Sequence, residues 1–156
     1  MRFVADEPPQ SLVDQMAATF TKTDGDLRAV LETMFVSKEF FSEGAYRSKL
    51  KTPLELVASA VRATGGEVTY AMALANQVAQ LGQPLYRKQE PTGYSNHSKE
   101  WLNSGGLLAR MNFALQLAGN RVPGVQVNAA TAVKPAAKPD DPIAGIDLGS
   151  PDFQKR

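Results

Sequence analysis

Leu27, Val30, Leu31, Met34 and Phe35 stand at i, i+3, i+4, i+7 and i+8, the spacing that lays apolar side chains along one face of an α-helix. This period constrains the chain more than any other feature, because it recurs along most of the 156 residues. Leu12, Val13, Met16, Ala17 and Phe20 carry it upstream, after the start Asp6-Glu7-Pro8-Pro9. Leu54, Val57, Ala58 and Val61 carry it behind Thr52. A fourth helix is expected over 69–81 on Met72, Ala75, Val78 and Ala79, ending at Gly82. A fifth begins near Ser98, holds Trp101, Leu108, Phe113 and Leu117, and ends at Gly119. The period of two that marks a strand is missing; the one β-like stretch, 122–127, is interrupted by Pro123 and Gly124.

Boundary residues support these spans. Asp24 or Gly25 is placed to cap the helix that begins at Leu27. Ser37 precedes Lys38-Glu39-Phe40-Phe41, a short capped turn whose two aromatics are expected to anchor it to the core. Thr52-Pro53-Leu54-Glu55 is a capping box with proline where no donor is needed. Gly65-Gly66 supplies a left-handed exit. Gly105-Gly106 inside a helix would cost about 1 kcal/mol each relative to alanine. Alternatively they allow a close helix contact, or mark a restart capped by Ser104.

Residues 82–97 lack periodicity and contain Gly82, Pro84, Pro91 and Gly93, which predicts a long internal loop. Residues 128–139 read NAATAVKPAAKP, a low-complexity linker. Ile143, Ile146, Leu148 and Phe153 then return as a short docked helix. The expected architecture is all-α, an irregular helical bundle of about five or six helices with a tethered C-terminal segment. Its expected division is a helical domain over 1–127, a linker over 128–142 and a docking segment over 143–156.

Composition removes several classes of function. There is no cysteine, so disulfides, thiolate zinc sites and cysteine nucleophiles are excluded, while the redox compartment stays open. Lys and Arg number 17 against 16 Asp and Glu, a net charge of +1, and the densest basic group is only Arg47, Lys49 and Lys51. Nucleic-acid binding needs a stronger basic cluster. No apolar run approaches the ~20 residues that cross a bilayer, so the chain reads as a soluble domain without a membrane span. Residues 1–9 lack the apolar core of a signal peptide.

Candidate chemistry concentrates in residues 84–112. Tyr86, Arg87, Lys88, Glu90, Tyr94, Asn96, His97 and Ser98 form the densest polar and aromatic stretch. It suits a ligand- or sugar-binding lip, with aromatics stacking and amides hydrogen-bonding. It equally suits a long connection pinned by Pro91 and Tyr94, with Ser98 capping the next helix. His97 is the single histidine; it can act as a general base near Tyr94 or Ser95, or be merely solvated. Asn103, Gly106 and Arg110 share one helix face, with Asn112 nearby. Arg110 there is either an anion ligand or a structural arginine holding the 84–97 loop. Trp101 is either a core anchor or a stacking platform.

The catalytic candidates are therefore His97 and Tyr94, and the ligand-binding candidates Tyr86, Tyr94, Asn96, Asn103 and Arg110. No metal set is present in the sequence, since His97 lacks an H-x-x-x-H partner and Asp140, Asp141, Asp147 and Asp152 lack calcium-loop spacing. Ser95, Ser98 and Ser104 lie outside any G-x-S-x-G elbow. No cofactor is implied.

Several ordered stretches carry a resemblance. They run from Phe3-Val4-Ala5-Asp6-Glu7-Pro8-Pro9 through Ser37-Lys38-Glu39-Phe40-Phe41 and Lys51-Thr52-Pro53-Leu54-Glu55 to Leu81-Gly82-Gln83-Pro84-Leu85-Tyr86. Pro91-Thr92-Gly93-Tyr94, Trp101-Leu102-Asn103-Ser104-Gly105 and Leu108-Ala109-Arg110-Met111-Asn112-Phe113 follow. Leu148-Gly149-Ser150-Pro151-Asp152-Phe153-Gln154-Lys155-Arg156 closes the series. Together they resemble the bacterial family known as domain of unknown function 1800, and specifically the C-terminal third of its longer members. The resemblance implies an exported protein whose genes accompany a sulfatase-like family of exported proteins. It brings no reaction with it.

Three functions from different classes follow. The first is a helical interaction or accessory module that packs against the N-terminal part of the family protein or against a protein partner, with a sulfatase-like exported protein as one candidate. The second is a fragment of a hydrolase-like enzyme, contributing one wall of an active site through 84–112. The third is a carbohydrate-binding module using Tyr86, Tyr94 and Trp101.

Overall fold

The computed structural model describes residues 1–127 and 148–156. The expected linker over 128–142, and Ile143 and Ile146 of the expected docking segment, lie outside these residues. The described part is mostly helical, as the apolar period requires, and divides into two compact units, Met1–Lys49 with Arg156, and Leu50–Lys155.

In the first unit, α1 (Gln10–Lys22) and α2 (Leu27–Phe35) pack as a helical hairpin. Asp26, rather than Asp24 or Gly25, caps α2, its carboxylate accepting from Arg28 N and Ala29 N. Asp24 and Gly25 have φ of 51° and 88° and make the left-handed turn that reverses the chain. Val4, Leu12 and Met34 form the small core, with Met16, Phe40 and Ala45 against it. The Thr19 and Thr33 hydroxyls, 3.0 Å apart, tie the two helices together.

The α2 stripe is buried only at Met34. Leu27, Leu31 and Phe35 are 67%, 41% and 42% exposed. A single hairpin covers one side of each helix, and the arc from Leu27 to Phe35 is wider than that side. Ser37 closes the following turn, donating to Met34 O and accepting from Phe40 N. Phe40 reaches the core, whereas Phe41, expected to do the same, is 76% exposed. The buried Lys49 ammonium pairs with Asp6, and the Ser48 hydroxyl donates to Val4 O.

The second unit is built on α3 (Pro53–Ala63), opened by the full Thr52–Glu55 capping box. Its buried face is Pro53, Leu56, Val57, Ala60 and Val61. Leu54 and Ala58 point outward, so the stripe is rotated from the expected one. Gly65, with φ of 59°, ends the helix. A two-residue strand, β1 (Glu67–Val68), then pairs antiparallel with β2 (Val125–Gln126). The stretch after Gly124 is therefore strand, short enough that Pro123 and Gly124 fall before it rather than inside it.

α4 (Ala71–Gln80) buries Ala73 and Val78, while Met72 stays exposed. A single 3₁₀ turn (Ser98–Glu100) precedes α5 (Ser104–Ala118), and α6 (Pro151–Gln154) follows the Ser150 cap. α3 packs on both α4 and α5. Leu56, Val57, Val61, Val78, Phe113, Leu117, Val122, Val125 and Leu148 fill the core between them.

Candidate functional site

Loop 82–97 is held by its own aromatic groups. The Tyr94 hydroxyl donates to Pro84 O, closing the loop across its base. Trp101 is buried and its indole N–H donates to Ser95 O at 3.1 Å. The two rings lie 6.2 Å apart, so Trp101 is a core anchor that Tyr94 leans on. Lys88 sits over the Tyr94 ring at 5.6 Å and pairs with Glu90 at 3.1 Å. The Glu90 carboxyl is held below its usual range by its own backbone N–H first and by Lys88 second. Gln83 accepts from Leu54 N, fastening the start of the loop to α3.

Tyr86, Asn96 and His97 lie in the same loop, and Asn103 follows it. Tyr86 has φ of 60°, a strained conformation for a bulky side chain, and its ring is fully exposed. Asn96 is exposed. The half-buried His97 receives a fold contact through its backbone N–H, which donates to Ser95 Oγ. Asn103 is the N-cap of α5, where the sequence pointed to Ser98 or, as a restart, to Ser104, and its side chain accepts from Gly106 N at 2.8 Å.

Arg110 is buried, at 2% exposure. Its guanidinium donates to Lys51 O at 2.8 Å and to Gln154 Oε1 at 2.9 Å. Gln154 in turn donates to Leu148 O. Arg110 thus fastens the C-terminal residues and the lead-in to α3, where the sequence suggested loop 84–97. Burial pushes its pKa down to about 10, which leaves it charged at neutral pH. The Lys51 ammonium caps this corner, 3.8 Å from the Phe153 ring.

Two further surfaces stand out. In the first unit, Leu27, Leu31 and Phe35 form an exposed apolar row along α2. Phe35 continues it edge-to-face into Phe3 at 6.0 Å and Phe40 at 5.2 Å, and Phe40 continues it into Phe41 at 5.1 Å. In the second unit, α4 and α5 border a cleft of about 530 Å³ lined by Gln77, Gln80, Asn112, Gln116 and Arg121. Its sequence signal was the spacing of paired amides on two helices without charged residues at the surface. Among the described residues no group of His, Asp and Glu is arranged to hold a metal ion, and no described helix is long and apolar enough to cross a membrane.

A small helical chain with an aromatic-pinned loop and an exposed apolar row is, as a class, a helical domain. The family model that matches it is Protein of unknown function (DUF1800), over residues 1–153, and the chain belongs to that family. No curated protein and no solved structure matches it.

Proposed function

We propose that the chain is a helical interaction module, accessory to an exported bacterial protein, whose α2 face packs against the N-terminal part of longer family members. The observation that carries this reading is the exposed row Leu27, Leu31 and Phe35 with its aromatic extension through Phe3 and Phe41. Contiguous apolar surface of this kind is uncommon on a monomer's exterior and marks contact sites. Each Å² covered contributes about 25 cal/mol, so an apolar partner surface gains directly. The partner proposed is the N-terminal part of longer members of the family that the chain resembles. The hydrolase-like reading of 84–112 has less support, because the Tyr94 hydroxyl and the Arg110 guanidinium are engaged in holding the fold.

The test mixes the chain with the separately produced N-terminal part of a longer family member and follows co-elution. Association that Leu27→Glu with Leu31→Glu removes is the expected result. No association at micromolar concentration, or association untouched by the double substitution, would sink the reading. Binding of a sulfatase-like exported protein in its place would keep the face and reassign the partner.

A further inference from the structure

The helices α4 and α5 present an unusual surface. α4 (AMALANQVAQ) has no charged residue, and the single charge of α5 (SGGLLARMNFALQLA), Arg110, is buried. Solvated helix faces ordinarily carry Lys, Glu and Arg. Here carboxamides replace them, Gln77 and Gln80 at i, i+3 on α4, and Asn112 and Gln116 at i, i+4 on α5. All four line the cleft of about 530 Å³ and also a smaller depression of about 190 Å³ beside it. The larger volume is of the size that binds ligands, roughly 300–1,000 Å³.

The chemistry of the lining is specific. Each carboxamide offers one acceptor oxygen and a two-proton donor. Among the described residues, neither the four carboxamide groups nor the Arg121 guanidinium has a side-chain hydrogen-bond or ion-pair partner, although the Arg121 backbone N–H donates to Gln116 O. Among the described residues the lining contains no acidic side chain. It also contains no aromatic ring in the larger cleft, which disfavours stacking on a sugar. Paired donors and acceptors along two helices match the alternating N–H and C=O groups of an extended main chain. Leu115, half exposed at the rim, offers contact to an apolar side chain. The α5 stretch from Ala109 to Gln116 is about 10 Å long at ~1.5 Å per residue. That is room for about three extended residues at ~3.3 Å each.

We propose that the α4–α5 cleft binds an extended peptide that places its C-terminal carboxylate on Arg121, with Gln77, Gln80, Asn112 and Gln116 reading the main chain. The surface lies within the unit Leu50–Lys155 and does not depend on the role given to the α2 face. A guanidinium recognises a carboxylate through two parallel hydrogen bonds, and replacing that carboxylate by a neutral amide removes the charge assistance.

The experiment titrates the isotope-labelled full chain with a pool of N-acetylated pentapeptides bearing uncharged side chains and a free carboxyl end, and follows the side-chain NH₂ resonances. Progressive shifts confined to Gln77, Gln80, Asn112 and Gln116 are expected. The same pool with carboxamide ends should bind about tenfold or more weakly. Arg121→Gln should abolish the difference between the two pools. Should that variant disturb the backbone spectrum, Gln77→Ala with Gln116→Ala should abolish the shifts from the helix side. The proposal is overturned by absent shifts at millimolar peptide, by shifts spread over the surface, or by equal response to both pools. It is also overturned if an oligogalacturonate, an acidic sugar, moves these amides where the peptides do not.

Discussion

Gly105 and Gly106 are sequence neighbours with opposite tolerances. A Cβ built at Gly106 would lie 2.8 Å from the carbonyl oxygen of Trp101, whereas one at Gly105 meets nothing closer than Asn103 Oδ1 at 3.6 Å. Gly106→Ala should therefore cost about 1–3 kcal/mol by displacing the backbone behind Trp101. Gly105→Ala should instead raise stability by about 0.4–1 kcal/mol, through a less flexible unfolded chain. Urea unfolding of the two variants decides it, and equal effects would show that the close approach at Trp101 carries no energetic weight. Arg110 is the other residue whose role is set by its neighbours. Arg110→Met and Gln154→Leu should each cost about 1–3 kcal/mol, because each strands a buried polar partner. Together they should cost less than the sum by about 1 kcal/mol or more. Strict additivity in the double-mutant cycle would deny that the 2.9 Å bond couples them.

Among the elements, α3 and α2 show how local and tertiary signals separate. The start of α3 is written in four residues, and the box forms as the sequence requires, with Thr52 N donating to Glu55 and Thr52 Oγ1 accepting from Glu55 N. Thr52→Ala should lower stability by about 1 kcal/mol, measurable as a reduced urea midpoint at unchanged slope. A midpoint equal to that of the parent would show the cap to be dispensable. α2 is legible as a helix from its period, but Asp24, Gly25 and Asp26 all have cap chemistry, and the fold uses Asp26 where the sequence pointed to Asp24 or Gly25. Which of its apolar residues are buried was not legible. A period says that residues share a face; only the neighbouring element says whether that face is covered. The same limit rotated the α3 stripe by one position, burying Leu56 and Ala60 while Leu54 and Ala58 look outward.

For the whole molecule, the division into Met1–Lys49 with Arg156, and Leu50–Lys155, sets what a surface substitution can reach. Leu27→Glu with Leu31→Glu should leave the thermal melt within about 0.5 kcal/mol of the parent, as for exposed sites, while reducing the binding of an apolar-surface dye. Unfolding of that variant would show these two leucines to be core residues. The candidate site was legible only as a composition. Tyr86, Tyr94, Asn96, His97, Asn103 and Arg110 are near in sequence. Yet Arg110 turns to Lys51 and Gln154, while Tyr94 turns to Pro84 and Trp101. The partner of Arg110 at position 154 is 44 residues away, beyond anything that helical spacing can relate.

The sequence by itself determined the helices, the capping box of α3, the long loop after Gly82 and the membership of a family, since each depends on residues within a few positions of one another or on their order along the chain. The tertiary structure decided which apolar stripe is core and which is surface, where the buried guanidinium finds its acceptors, and that four amides on two helices line one cleft. Those facts depend on distances between residues far apart in sequence, and such distances exist only once the helices have packed.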